Sequence, residues 1–333
     1  MLKYIDVVKQ AIKTFEKIVN KAFDIHLQDL ISPQKAFVAL RQIRWPDGVV
    51  ICPKCGSIHI TKNGHDTKQP EKQNYHCEDC NCYFDDLTGT IFSGHHQPLE
   101  VWITALYLMG LNLSNRQIAM ELDLNEGDVQ SMTSLLREGV VERYVQPNLS
   151  GTVECDEVYI VAGHKGHPDK VAESGREPRC RRLKGAPGRG TLEKDKPPVI
   201  GIVERNGDVV IEMLPDVKME TIEPIIKATI TPGSLINTDE YAIYNHLVDW
   251  GFQHKTVNHG NGEYARDEDG DGFCEVHVNT VEGLWSLLRS WLRPHRGISQ
   301  EKLPIYLRFF QFIHNARRRG KAVLCSLLNV LLS

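Results

Sequence analysis

The stretch "TVECDEVYIVA" (152–162) decides how the rest of the chain is read. Its flanks alternate like a strand with two faces. Val153, Cys155, Glu157 and Tyr159 face one way, and Glu154, Asp156 and Val158 the other. Strand interiors disfavour aspartate, so Asp156 in the middle of this one calls for a chemical reason.

Downstream the texture stays α/β. "PPVIGIVER" (197–205) and "VVIEMLP" (209–215) read as two more strands. The turn "RNGD" (205–208) joins them, with Asn-Gly as the hairpin signal. "METIEPIIKATI" (219–230) has helical spacing, with Pro224 expected within its first turn. "SLINTDEYAIY" (234–244) is a strand that runs into a polar tip, and Asp239 stands where it leaves its apolar core. "HKTVNH" (254–259) is a further short strand, and helices at 279–293 and roughly 300–319 finish the domain. Strand, strand, strand, helix, strand, helix, strand, helix is the order of an RNase H-like α/β fold. In such a sheet the strands of Asp156 and Asp239 are neighbours, and a late helix packs across their ends.

"NTVEGLWSLLRSWLR" (279–293) supplies that helix. On a wheel, Val281, Leu284, Trp285, Leu287, Leu288, Trp291 and Leu292 fill one arc. Glu282 and Arg289 fall within about 20° of each other at its edge, roughly 10 Å apart along the axis. Asn279 lies one turn before Glu282. A salt bridge to another element would explain a lone half-buried glutamate. Asp156 and Asp239 change that weighting, because three carboxylates then converge from separations of 83 and 43 residues. Such a group repels itself and needs divalent metal. Hard oxygen ligands with open positions suit Mg²⁺ or Mn²⁺. Two such ions activate a water or a DNA 3′-hydroxyl and stabilise the leaving oxygen in a displacement at phosphorus. Arg289 is placed to hold a DNA phosphate beside them.

Upstream, "CPKC" (52–55) and "CEDC" (77–80) put 21 residues between two Cys-x-x-Cys pairs. Cys52, Cys55, Cys77 and Cys80 thus offer a closed tetrahedral zinc site, structural because no position stays open. A redox pair or chance pairing is the bland alternative, and Cys82, His59 and His76 are nearby substitutes read as bystanders. A module this small cannot fold without its metal. The chain has nine cysteines and shows no export signal, which suits a reducing compartment, here the cytoplasm, rather than a disulfide framework. No apolar run reaches bilayer-spanning length, so no membrane partner is expected.

"LSNRQIAMELDLNEGDVQSMTSLLREGV" (113–140) has Ser114 as an N-cap, a short helix through Leu122, a break at "DLNEG", and a second helix from about Asp128 to Glu138. Ile118, Leu122, Val129, Met132 and Leu136 could pack the pair. A helix-turn-helix would present Gln130, Ser131, Thr133 and Ser134 to base edges; an ordinary helical hairpin is the plainer reading. Net charge is −4, so any affinity for nucleic acid must be local. Residues 283–320 hold eight Lys or Arg against one acid, and 161–198 hold ten against five around "RCRRLKGAPGRG" (179–190). "DEDGDG" (267–272) opens like an EF-hand loop but has Val278 at the twelfth position, so it reads as a plain Gly/Asp-rich loop.

Expected boundaries are a helical N-terminal segment (1–45), a zinc ribbon (46–92), a helix-turn-helix-like region (98–145), the RNase H-like catalytic domain (151–320) and a C-terminal apolar helix (321–333).

The segments "IRWPDGVVICPKCGS", "VECDEVYIVAGHKG", "NTDEYAIY", "HVNTVEGLWSLLRSWLRPHRGIS" and "YLRFFQFIHNARR" cover most of 40–319. Together they resemble bacterial insertion-sequence transposases of the DDE type, and most closely the Merlin-related group with an N-terminal zinc ribbon. In those families Glu, six residues, then Lys or Arg is a signature, which Glu282 and Arg289 match. The resemblance implies that Asp156, Asp239 and Glu282 are the catalytic triad holding two Mg²⁺ or Mn²⁺ ions. Asn279, in "HVN", is the competing third ligand; a carboxylate binds a hard cation better. It also implies DNA partners, namely element ends and target, and a dimer or larger assembly on DNA. Two other functions stay open at this point: a transposase-derived DNA-binding regulator without catalysis, and a Mg²⁺ nuclease without strand transfer.

Overall fold

The computed structural model describes residues 32–173, 191–192, 195–320 and 322–332. Most of the N-terminal segment expected to be helical, residues 1–31, and the basic segment 179–190 lie outside the described residues. The chain divides into two compact units, one formed by the residues up to Gly139 together with those from Gly320 onward, the other by Val140–Arg319.

In the first unit, α1 (Pro33–Arg44) starts on a proline, whose missing N–H costs nothing at a helix start. Strands β1 (Ile60–His65), β2 (Gln73–Cys77) and β3 (Tyr83–Asp85) form a three-stranded antiparallel sheet in that order. Its small core is Trp45, Cys52, Tyr75, Cys77 and Phe84. Tyr75 stacks on Phe84 at 5.2 Å and meets Trp45 edge-on at 5.7 Å. The fully buried Asp86 ties α1 to this sheet. It accepts from Arg41 Nε at 2.9 Å and Nη2 at 2.6 Å, from the Gln73 N–H at 2.6 Å and from the Tyr75 hydroxyl at 3.0 Å. A buried carboxylate is tolerable only when so fully paired. The helix preceding the cysteines is therefore part of the ribbon's framework, not a separate lead-in.

Helix α2 (Leu99–Gly110) follows, then α3 (Asn115–Leu122) and α4 (Glu126–Arg143). Ser114 and Gln117 form a capping box at the start of α3, and Asp123 closes it in the left-handed region at φ 52°. Ile118, Val129, Met132 and Leu136 are buried. Thr133 is a correction to the base-reading set. It is buried, and its hydroxyl donates to Asn115 Oδ1 at 3.0 Å, because α4 turns that side toward α3. Arg137 is buried as well.

The second unit is built on one five-stranded sheet. Its strands are β4 (Thr152–Tyr159), β5 (Pro198–Glu204), β6 (Val209–Met213), β7 (Leu235–Thr238) and β8 (Gln253–Thr256). Spatial order is β6-β5-β4-β7-β8. β4, β5 and β6 pair antiparallel, while β4, β7 and β8 are parallel. A short helix, α5 (Pro168–Glu173), follows β4, and α6 (Met219–Thr229) links β6 to β7. Pro224 is sixth in α6, past the first turn where it was expected. β7 and β8 are joined by a 3₁₀ turn, Ala242–His246, rather than an α-helix. The Asp239 carboxylate accepts the Tyr241 N–H at 3.0 Å, closing a tight turn directly after β7.

One face of the sheet carries Val153, Cys155, Ile200, Ile202, Val210 and Ile236, packed with Ile222 and Ile226 of α6 and with Tyr244. The opposite face carries Glu154 and Asp156. A two-stranded ribbon, β9 (Ala265–Arg266) with β10 (Val276–His277), leads into α7 (Asn279–Leu292), which covers that face. Helix α8 (Leu303–Arg318) then seals the sheet's edge. Gln311 accepts the Ile211 N–H at 3.0 Å; Asn315 accepts the Val209 N–H and donates to the Val209 carbonyl, both at 2.9 Å. Side-chain amides thus stand in for a missing neighbour strand beside β6.

Helix α9 (Val323–Leu332) belongs to the first unit. It lies so close to α2 that a Cβ on Gly110 would come 2.8 Å from Val323. No described helix is long and apolar enough to cross a membrane.

Candidate active site

The site grows from the pairing of β4 with its neighbours. In the parallel pair, Glu154 sits opposite Asn237. Paired residues share a face, so Asn237 lies on the face of Glu154 and Asp156, and Asp239 follows directly after the end of β7. In the antiparallel pair, Asp156 sits opposite Gly201. The absence of a side chain there lets Trp285 of α7 lie against the sheet, for a Cβ on Gly201 would come 2.3 Å from its ring. The indole Nε1 of Trp285 donates to Asp156 Oδ2 at 2.8 Å. Glu282 is one turn earlier on the same helix.

Asp156 is mostly buried, and its pKa is raised to about 6. Burial is the main cause; the bond from Trp285 opposes it, and the negative charges of Asp239 and Glu282 push it further up. Both acids therefore lie within electrostatic reach of Asp156. The three are spread more widely than a tight ligand cluster: among the described residues, the His, Cys, Asp and Glu groups whose ligand atoms all lie within 4.8 Å of one another are the four cysteines and Asp267, Asp269 and Glu275.

The Glu282 side chain is 49% exposed, about the half-burial expected, and its Oε1 lies 3.9 Å from His259 Nδ1. Leu287, expected within the buried arc, is exposed. The covering arc is narrower than the wheel suggests because α7 meets the sheet chiefly through Val281, Leu284, Trp285, Leu288 and Trp291. Asn279 is the exposed first residue of α7. It lies about 120° around the helix from Trp285, whereas Glu282 lies about 60° away. Arg289 and Arg293 are exposed further along and line a cavity of about 290 Å³ together with Tyr159, the last residue of β4, and Ile160 and Val161 just after it. Arg308 and Arg319, also in the basic run, are engaged by Glu212 and Asp208.

Three residues around the acids escaped the sequence reading. Glu154 is fully buried and bonds the start of α7. Alternation put it beside Asp156, but its partners are remote in sequence. Asn237 is buried with neither amide atom hydrogen-bonded, and His259 Nε2 is buried without a partner. Only the polar character of "LINTD" hinted at the first. The "DEDGDG" loop does gather Asp267, Asp269 and Glu275, and Asp267 is held by the N–H groups of Gly270 and Gly272.

In the first unit, Cys52 Sγ lies 3.7 Å from Cys80 Sγ, and Cys55 Sγ lies 3.6 Å from Cys77 Sγ. A tetrahedron of thiolates at about 2.3 Å from zinc has edges of about 3.8 Å. The four sulfurs therefore fit one structural Zn²⁺. Each Cys-x-x-Cys pair contributes one sulfur to each close contact, so the ion would join both knuckles.

Comparison with known proteins matches two segments of the chain. Residues 148–315 match the ISXO2-like transposase domain, and residues 32–82 match the transposase zinc-ribbon domain. The chain is 35% identical over 311 residues to an uncharacterized protein in transposable element ISH50 of Halobacterium salinarum, covering 92% of this chain and 99% of that one. It is 28% identical over 98 residues to an uncharacterized transposase-like protein of Haemophilus influenzae, covering 29% of this chain and 72% of that one. Among solved structures, a pre-cleavage Mos1 transpososome shares 11% identity over 67% of this chain and 77% of that chain, at a TM-score of 0.22; so low a score carries no weight here. The zinc-ribbon match begins at residue 32, where α1 begins, in keeping with the Asp86 clamp. On the domain match and the full-length relative, this chain belongs to the family of ISXO2-like (IS1595) transposases.

Proposed function

We propose that this transposase has an RNase H-like catalytic core in which Asp156, Asp239 and Glu282 hold two Mg²⁺ or Mn²⁺ ions and cut and rejoin DNA at the ends of its mobile element. The observation that carries this reading is the hydrogen bond from Trp285 to Asp156, which brings the helix bearing Glu282 onto the face of β4 beside its parallel neighbour β7, the strand that runs into Asp239. The sheet order, with β5 antiparallel and β7 parallel to the central β4, supports the fold assignment. The donor set fits a hard cation. Its ligands are carboxylate oxygens, and mutual repulsion already disfavours ionised Asp156. The unbonded amide of Asn237, on the same face, suits the ordered water that Mg²⁺ retains.

When bound, the ions supply Lewis-acid polarisation of the phosphodiester and activation of the attacking hydroxyl. The chain's own residues supply the frame. Trp285 orients Asp156 and shields one side of it from water. Arg289 and Arg293, about 10 and 16 Å from Glu282 along α7, bind the phosphates of the strand that leads away from the acids. Glu282 serves as third ligand in preference to Asn279, since it is nearer to Trp285 around the helix. The zinc ribbon and the α3–α4 pair recognise the element ends. Two ends must be brought together, so the active form is a dimer or larger.

The test is a cleavage and strand-transfer assay with Mg²⁺ on duplexes carrying the terminal sequences of the element that encodes this chain. Asp156→Ala, Asp239→Ala and Glu282→Ala should each abolish both steps and leave end binding intact, and Asn279→Ala should retain activity. Binding with no cleavage by the wild-type chain would mark a regulator, and hydrolysis with no joining would mark a nuclease.

A further inference from the structure

Glu154 has no exposed surface, and it lies two residues before Asp156 on the same face of β4. Both its oxygens are engaged. Oε1 accepts from Arg205 Nε at 2.7 Å and from the Thr280 hydroxyl at 2.8 Å, and lies 3.2 Å from His277 Nδ1. Oε2 accepts the backbone N–H groups of Thr280 at 2.8 Å and Val281 at 3.1 Å. Arg205, the residue after β5, donates its other N–H groups to the carbonyls of Glu275 at 2.5 Å and His277 at 2.9 Å.

One buried ion pair therefore grips both the end of β10 and the first turn of α7. Thr280 and Val281 immediately precede Glu282. The strand that presents Asp156 thus also fixes, through Glu154, where the helix bearing Glu282 begins. The Arg205 charge offsets that of Glu154, so the pair adds little to the repulsion among the other acids. With its oxygens committed to the helix and to Arg205, Glu154 is also unavailable as a metal ligand. An apolar pair of similar volume could fill this space at little cost in stability. It would not supply the directional bonds that tie the first N–H groups of α7 to β4, because apolar contact is non-directional.

We propose that Glu154 and Arg205 are a positioning pair for the metal site, setting the place of Glu282 relative to Asp156 without touching DNA or cation; this rests on the triad reading above. Outer partners that orient ligands typically carry 10–100-fold in metal affinity or activity.

The experiment uses the full-length chain with its zinc retained and measures Mn²⁺ binding by electron paramagnetic resonance in the absence of DNA. In Glu154→Gln, volume is kept but one acceptor becomes an NH₂ that faces other donors. Mn²⁺ affinity should fall by about 10–100-fold. The Mn²⁺ concentration for half-maximal cleavage should rise in parallel, while affinity for element-end DNA stays at the wild-type value. Glu154→Asp, which keeps the charge, should recover part of the loss. A folded Glu154→Gln with wild-type Mn²⁺ affinity overturns the proposal. Should that variant fail to fold, Arg205→Lys decides, since lysine keeps the charge but cannot span the carboxylate and two carbonyls: undiminished Mn²⁺ affinity there overturns it equally. Asp156→Ala and Glu282→Ala are measured alongside. If they bind Mn²⁺ normally, the triad reading fails; if they lose it while Glu154→Gln does not, only the positioning pair fails.

Discussion

Trp285 Nε1 donates to Asp156 Oδ2 at 2.8 Å, joining α7 to the middle of β4 across 129 residues of chain. The bond is possible because Asp156 is paired with a glycine, Gly201, over which the indole lies. It favours the ionised form of a carboxylate that burial and its neighbours push toward neutrality. Trp285 is thus both core packing and part of the electrostatics of the site.

Trp285→Phe keeps most of the ring and removes the donor. A hydrogen bond to a charged group is worth about 1.5–3 kcal/mol, and one pH unit corresponds to about 1.36 kcal/mol. The acid limb of the cleavage pH–rate profile should move about one to two pH units higher, with DNA affinity unchanged. An unmoved profile would mean that this bond does not govern Asp156.

Gly201→Ala places a methyl inside the Trp285 ring, which is buried and cannot swing away freely. Overpacking of this kind costs about 1–3 kcal/mol. Urea denaturation of the full chain should register that loss. The same variant should lose cleavage activity as Trp285 is lifted from Asp156.

The raised pKa of Asp156 gives metal binding a definite pH dependence. In the folded chain this carboxyl holds its proton up to about 6, against about 4 when unfolded. The folded state is thus the better proton binder. Metal-free stability from this group is fully present below about pH 4 and is lost as pH rises to about 6. A cation prefers the carboxylate, so Mn²⁺ affinity runs the opposite way. It should rise about tenfold per pH unit below 6 and flatten above it. Binding isotherms at pH 5, 6, 7 and 8 check this, and equal affinity at pH 5 and 7 would contradict it.

Zinc should be stoichiometric, one ion per chain, and should depend on the four sulfurs that lie together. Cys52→Ser or Cys77→Ser should abolish it, and Cys82→Ser should leave it in place. Chelation should raise hydrogen exchange in β1–β3, where the core is only a few side chains. Elemental analysis and exchange mass spectrometry on the same samples read both outcomes.

Local pattern carried much of this protein. The cysteine spacing marked the metal ribbon because two knuckles are short-range devices. Alternation in "TVECDEVYIVA" assigned Asp156 and Glu154 to one face before any partner was known, since strand geometry has a period of two. The Ser114 cap and the apolar spacing of α3 and α4 were legible for the same reason. What sequence position could not supply was the identity of partners. Thr133 looked like a surface residue until α3 turned out to cover it. Leu287 looked buried until the packing of α7 left it exposed.

The amino-acid sequence by itself determined which residues could face together along each strand and helix, because those periods are set by backbone geometry within a few residues. Only the tertiary structure decided that Glu154 meets Arg205, 51 residues away, and Thr280, 126 residues away. Those meetings follow from strand order, from the glycine that admits Trp285, and from where α7 starts after the β9–β10 ribbon. They are long-range outcomes of packing, in which the energy of one contact depends on many others being in place.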